Sequence, residues 1–189
     1  MKRMVLITMG LMLLAGSVSA QPFPGLPDTA YVGLFADAAH SVRQVNYTAI
    51  PPAYTSFMMY VCWLPSARGI TAVEFAMSYP ANIIPLAPTK NALVALEMGS
   101  FSAGVSTVFS TCITDWIWSH SQRCFLTDAT QGEIMVVEHP TLLPPAYQVA
   151  TCELGAPIEP VKRLTHLYLN YDGGLAVGNK SWGAIKNLF

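Results

Sequence analysis

The sequence predicts an all-β protein, an antiparallel β-sandwich of about nine strands. Two observations support this prediction. Short segments rich in β-branched and aromatic residues recur along the chain, separated by glycine, proline and polar clusters. The central part of the chain also shows no convincing 3.6-residue apolar periodicity of an amphipathic helix. Many short strands at regular spacing are typical of two packed sheets that each bury one apolar face.

The first element is a predicted secretory signal peptide over residues 1–20. Lys2 and Arg3 precede an apolar run, and small residues ending at Ala20 form a cleavage site. The run is too short to cross a bilayer core of about 30 Å as a helix. We therefore expect a mature chain that begins at Gln21, is secreted, periplasmic or associated with the cell surface, and has no integral membrane span.

Residues 21–29 contain three prolines and are predicted to form an extended lead-in to a sandwich domain over residues 30–172. The clearest strand is predicted over residues 70–79, where apolar and polar residues alternate until Pro80 ends the ladder. The other predicted strands cover residues 31–36, 56–64, 91–98, 104–112, 115–128, 133–139, 147–152 and 160–171.

Four cysteines lie within the predicted domain, Cys62, Cys112, Cys124 and Cys152. An even number in an exported chain favours two disulfides. Three pairings are possible, and we expect Cys112–Cys124 to close a short loop and Cys62–Cys152 to form a long tie. The alternative is a zinc site, but the sequence has no C-x-x-C or C-x-x-H spacing. We predict no metal and no cofactor.

The charge balance narrows the classes of partner. The chain has 10 basic and 11 acidic residues, and charged residues make up only 11% of it, against roughly 25% in an average soluble domain. Outside the signal peptide no Lys/Arg cluster could neutralise a row of phosphates, so nucleic acid is not an expected partner. A surface poor in charge indicates a protein partner or a second copy of the chain.

The search for catalytic motifs favours a protein that is not an enzyme. The sequence has no G-x-S-x-G elbow, no Walker loop and no H-E-x-x-H helix motif. The histidines lie far apart and lack metal-ligand spacing. A small hydrolase remains a third hypothesis, which requires a cleft with a carboxylate within reach of His120 or His139.

The segment around Trp116, Trp118 and His120 is a candidate ligand-binding site. In a regular strand these three side chains point the same way and could form an aromatic platform for sugar rings or an apolar partner. The alternative interpretation is that this stripe is part of the core.

The last residues, 173–189, form a predicted tail outside the sandwich. Trp182, Ile185, Leu188 and Phe189 fall on one face of a short amphipathic helix. A helix this short is not stable alone in water. We therefore expect the tail to dock on its own sandwich, on a second copy or on a partner.

Several segments resemble a group of bacterial secreted proteins with a cohesin-like β-sandwich of the Ig-like type. These segments are residues 71–75, 78–80, 96–99 and 105–112, with residues 181–186 at the end. The resemblance implies adhesion or assembly and brings no catalytic residues. Cohesins pair with dockerins through one sheet face, and the four cysteines and the tail depart from that pattern.

Two functional hypotheses follow from these observations. The first is a non-catalytic exported sandwich for protein binding, adhesion or assembly. The alternative is a carbohydrate-binding module that uses the aromatic face.

Overall fold

The computed structural model describes residues 25–47, 55–144 and 146–171, and every regular element within them is a β-strand. These strands form two sheets that share one apolar core. The strands are β1 (Tyr31–Phe35), β2 (Gln44–Val45), β3 (Thr55–Leu64), β4 (Ile70–Ser78), β5 (Ile83–Pro85), β6 (Thr89–Lys90), β7 (Val94–Ser100), β8 (Gly104–Ile113), β9 (Ile117–Leu126), β10 (Gly132–Val137), β11 (Gln148–Ala150), β12 (Ile158–Pro160), β13 (Lys162–Thr165) and β14 (Leu167–Leu169).

The first sheet has the order β13-β1-β3-β9-β5, with β6 also paired to β9. Its centre is the antiparallel pair of β3 and β9, each ten residues long. The second sheet is built around β4, which pairs with β8 on one side, and β8 pairs with β7. On the other side of β4 the sheet forks, because its earlier residues pair with β11 and its later residues with β10.

The core lies between the sheets and confirms the strand predicted over residues 70–79. Val73, Phe75 and Met77, which share one face of β4, are buried in it. The Trp63 ring, from the first sheet, is fully buried and packs edge-on against Phe75 with ring centroids 5.4 Å apart. Burying such side chains away from water supplies the main stabilisation of the fold, about 1.5–3 kcal/mol for each large apolar side chain.

The structure differs from the predicted fold in two respects. It has more strands than predicted, because β2, β5, β6 and β12 are only two or three residues long and are too short to show alternation in the sequence. The sandwich is also not wholly antiparallel, since β1 pairs with β13 and β14 with β2 in parallel. Parallel neighbours are joined by long crossover connections, which local patterning does not reveal.

The predicted signal peptide, residues 21–24 of the lead-in and the C-terminal tail lie outside the described residues, so these domain boundaries remain predictions. Within the part of the chain that the structure describes, no helix is long and apolar enough to cross a membrane.

Candidate binding face

The outer face of the second sheet carries a continuous row of apolar side chains. Strand register places Ala72 opposite both Ala150 and Val108. The row extends from Ala150 to Ile158 on β12, and from Val108 to Leu96 on β7. Residues directly opposite in antiparallel strands lie on the same face with Cβ atoms about 4.5–5.5 Å apart. Leu96 is 50% exposed, Val108 37% and Ile158 59%, so the row faces solvent.

A second row, two residues along each strand, places one carboxylate in this apolar surface. Glu74 lies opposite both Ser106 and Gln148, and Met98 continues the row on β7. The Ser106 hydroxyl donates to Glu74 at 2.8 Å, and the Gln148 amide donates to it at 2.6 Å. A carboxylate has about four acceptor positions, so Glu74 can accept further donors from outside.

The two rows enclose a shallow groove of about 190 Å³. We call this surface the β4–β8 face, and it comprises Ala72, Glu74, Leu96, Met98, Ser106, Val108, Gln148, Ala150 and Ile158. Its sequence origin is the strand alternation, which sends Val73 and Phe75 into the core and their neighbours outward. A contiguous exposed apolar surface is typical of an interaction site.

The predicted platform of Trp116, Trp118 and His120 does not form. Trp118 and His120 pair with consecutive residues of β3, so Ser119 between them is an extra residue in a β-bulge. A bulge shifts the alternation by one residue. His120 therefore turns into the protein, where it has no exposed surface, and the prediction that all three side chains share a face was wrong.

The two tryptophans instead belong to an aromatic cluster on the outside of the first sheet. Trp116 stacks on His40 with ring centroids 4.3 Å apart and meets Phe35 edge-on at 6.2 Å. Trp118 meets Tyr60 edge-on at 5.9 Å, and Tyr60 lies opposite Phe35 in the β1–β3 ladder. We call these five residues the first-sheet cluster. Its rings cover part of one another's surface, which leaves less aromatic surface for a ligand to contact.

A tight loop over residues 36–42 holds His40 over this cluster. Asp37 accepts hydrogen bonds from the backbone amides of Ser41 and Val42 and from the Ser41 hydroxyl. Burial alone would raise the pKa of Asp37, but these hydrogen bonds outweigh it and lower the pKa below its usual value. Burial also lowers the pKa of His40, which favours the neutral ring that stacks on Trp116.

His120 belongs to a buried chain of hydrogen bonds that joins the two sheets. Its Nε2 lies 2.8 Å from the Glu97 carboxylate on β7, and its Nδ1 lies 3.0 Å from the Ser119 hydroxyl. Ser119 also accepts a hydrogen bond of 2.9 Å from Trp63 Nε1. Burial lowers the pKa of His120, although the hydrogen bond and charge of Glu97 act in the opposite direction.

A serine, a histidine and a carboxylate in contact have the composition of a hydrolase site, but this geometry does not provide one. Ser119 and His120 have no exposed surface, so no substrate reaches them. The three side chains instead form a buried hydrogen-bonded connection between the two sheets.

The other histidine of the hydrolase hypothesis is His139. It shares a hydrogen bond with Thr141 and packs beneath Gly104, where a Cβ would come within 2.5 Å of its ring.

The cysteines form one disulfide, Cys112–Cys152, with their Cα atoms 5.7 Å apart. The expected pairs Cys112–Cys124 and Cys62–Cys152 were wrong, since Cys62 and Cys124 are buried free thiols. Cys124 lies in the first sheet, whereas Cys112 ends β8 in the second. Cys124 pairs with Phe57, five residues from Cys62 along β3, which puts the two thiols roughly 17 Å apart along the strands. Burial raises the pKa of both thiols to about 12.

The predicted binding residues of the tail, Trp182, Ile185, Leu188 and Phe189, lie outside the described residues. Their docking on a sandwich or on a partner remains a prediction.

Comparison with known proteins identifies the fold. No protein-family model and no curated protein matches the sequence. The structure is similar to the sixth cohesin of scaffoldin B from Acetivibrio cellulolyticus, solved in complex with a Cel5 dockerin, at 11% identity and a TM-score of 0.51, with 76% of this chain and 99% of that chain covered.

It is also similar to a type III cohesin module from the cell-surface anchoring scaffoldin ScaE of Ruminococcus flavefaciens. That match has 10% identity and a TM-score of 0.51, and it covers 78% of this chain and 89% of that chain. The chain therefore has the cohesin-like β-sandwich fold that its sequence motifs predicted.

Proposed function

We propose that this chain is a non-catalytic exported module that binds a protein partner through the β4–β8 face and serves in adhesion or assembly. The observation that carries the proposal is the continuous apolar row across five strands, which the described part of the chain leaves open to solvent. Covering such a row removes apolar surface from water, which favours association by roughly 25 cal/mol for each Å² buried.

Glu74 supplies the specificity in this proposal. A partner that covers the face also covers its carboxylate, and an unpaired buried charge is costly. A partner that brings a hydrogen-bond donor to Glu74 is therefore favoured over one that brings only apolar side chains.

The fold supports the proposal. The Acetivibrio cohesin was solved with a dockerin bound, so a sandwich of this shape is able to serve as a protein-binding module. We do not transfer the dockerin itself, because a fold hosts many functions and partners depend on the residues of the site.

Export is supported by two features. The disulfide between Cys112 and Cys152 is of a kind that persists in oxidising compartments. The predicted signal peptide over residues 1–20 has the charge and apolar pattern that export requires.

The test is a cross-linking experiment on the secreted fraction of the source cells, with the tagged chain as bait and mass spectrometry as the readout. Val108→Glu places a charge within the apolar row, between Ala72 and Leu96. Ser56→Glu is the matched control, since Ser56 is an exposed strand residue on the first sheet. We expect partners captured by the wild type to fall by more than roughly tenfold with Val108→Glu, and to be retained with Ser56→Glu. Equal capture by both variants contradicts the proposal.

A further inference from the structure

Strand β7 is an edge of the second sheet. One of its sides pairs with β8, and the ladders of the described residues place no strand on the other. An edge strand presents unpaired backbone N–H and C=O groups that another strand can bind. Proteins usually protect such edges with proline, with lysine or arginine, or by keeping the strand very short.

The other edges of the two sheets are protected in these ways. Strand β5 ends in Pro85, and β12 ends in Pro160. Strand β6 carries Lys90, and β13 carries Lys162 and Arg163. Strand β2 is only two residues long.

Strand β7 lacks these three protections. A β-bulge at Ala95 can also blunt an edge, but the ladder from Leu96 to Ser100 is regular. It is seven residues long and contains no proline, lysine or arginine. Its one charged residue, Glu97, is bonded to buried His120 and is not displayed at the edge. Its exposed side chains are uncharged, and they include Ala95, Leu96 and Met98, of which Met98 is 58% exposed.

We propose that β7 pairs antiparallel with β7 of a second copy of this chain. A two-fold axis perpendicular to the sheet places the strand against itself, so that its unpaired backbone groups meet their complements. In the register centred on Met98, the two Met98 side chains meet, Glu97 lies opposite Gly99 of the second copy, and no like charges face each other. The exposed strand offers no charge to attract an acidic or basic partner, which favours a second copy over a charged protein.

The pairing would join the second sheets of two copies into one continuous sheet. It goes beyond the proposed function, because the contact is made at the edge and leaves the far end of the β4–β8 face, at Ile158, free. Leu96 and Met98 belong to both surfaces, whereas Val108 and Ile158 belong to the β4–β8 face alone, so variants at Val108 and Ile158 separate the two proposals.

The experiment is sedimentation velocity of residues 21–189 over a range of concentrations. We expect a concentration-dependent dimer for the wild type. Ala95→Lys and Met98→Lys place a charge next to the edge, so both should be monomeric where the wild type is dimeric. Ile158→Lys is the matched control, because it adds the same charge to an exposed apolar residue at the opposite end of the sheet, and it should remain dimeric.

Two further measurements complete the test. Circular dichroism melts confirm that each variant folds. Hydrogen exchange should show that β7 amides gain protection as the protein concentration rises. A wild type that is monomeric at every concentration overturns the proposal, as does a dimer that survives both edge variants. A dimer that only Ile158→Lys dissociates also overturns it and assigns the contact to the sheet face. Loss of cross-linked partners with Val108→Glu tests the proposed function separately.

Discussion

The two outer faces of this sandwich differ in how much of their apolar side chains is exposed to solvent. On the first sheet the loop over residues 36–42 holds His40 over Trp116 and Phe35, and Phe35 is only 3% exposed. On the second sheet Leu96 and Ile158 are half exposed or more. Both faces arise from strands of similar apolar content, so strand composition alone does not decide whether a face is covered.

A loop covers the apolar side chains of one outer face, and the other outer face has no such cover among the described residues. The chain has local means to cover a sheet, since a loop with three hydrogen bonds to Asp37 does so on the first sheet. The described residues place no such loop over the β4–β8 face. An apolar face left open lowers solubility, and this open face is the reason that we propose a protein partner for it.

The largest expected effect is a difference in the free energy of unfolding lost when an apolar side chain is removed from the covered face and from the open face. Phe35→Ala removes a buried ring that lies over Gly33, where a Cβ would come within 2.9 Å of it. We expect it to lower the free energy of unfolding by about 3–5 kcal/mol. Leu96→Ala, on the open face, should cost less than about 1 kcal/mol. Urea unfolding of the two variants measures both values, and similar losses would mean that the open face is packed in solution.

The disulfide is expected to have the next largest effect, and it anchors one end of the open face. It joins the end of β8 to Cys152 just beyond β11, beside Gly69. Its sequence separation of 40 residues corresponds to about 3–4 kcal/mol of stabilisation in the loop-entropy model. We expect the Cys112→Ser, Cys152→Ser double variant to unfold at a correspondingly lower urea concentration.

Thiol labelling checks the same assignment without a variant. The native protein should label slowly, because Cys62 and Cys124 are buried. The denatured, unreduced protein should expose those two thiols, and reduction should expose all four. Four labelled thiols in the denatured, unreduced protein would contradict the disulfide.

A smaller, pH-dependent effect is expected from the histidines inside the covered regions. Burial lowers the pKa of His120 and His40 in the folded state. The unfolded chain therefore binds protons first, and stability should fall as the pH drops below about 6.5. Carboxylates with lowered pKa, such as Asp37 and Glu133, lose their contribution only at more acidic pH, below about 4.5.

Melting temperatures between about pH 7 and pH 5 test this sign. Protonation of His120 would place a positive charge in the core, and His120→Gln removes this group. The melting temperature of the variant should therefore change less with pH than that of the wild type. His40→Asn is the companion variant, since asparagine tolerates the positive φ of 50° at that position. A wild-type melting temperature that does not change over this range would exclude the interpretation.

The sequence predicted those parts of the molecule that depend on alternation within one strand. Residues 70–79 show this, since Val73, Phe75 and Met77 enter the core as predicted. Features that depend on pairing between distant strands were missed. The bulge at Ser119 is invisible without β3, and it reversed the orientation expected for His120. The disulfide likewise depends on which sheet each cysteine occupies.

The β4–β8 face was missed for the same reason. Its residues lie on five strands spread from Ala72 to Ile158 in the sequence, and only the register brings Leu96, Val108 and Ile158 into one row. A signal was present in Leu96 and Met98, which are apolar on the outward phase of a predicted strand. The sequence alone does not show which side chains of β7 point outward, because the pairing of β7 with β8 decides that.

The smallest expected effect concerns the carbohydrate alternative, which used the first-sheet cluster. Sugar rings stack on flat indole faces that are free on at least one side. Trp116 already stacks on His40, and Trp118 contacts Tyr60. We therefore expect no binding to an oligosaccharide array and no change in tryptophan fluorescence on adding soluble glycans. A glycan that binds the wild type but not Trp118→Ala would restore the alternative and show that the covered face, rather than the open one, is the binding surface.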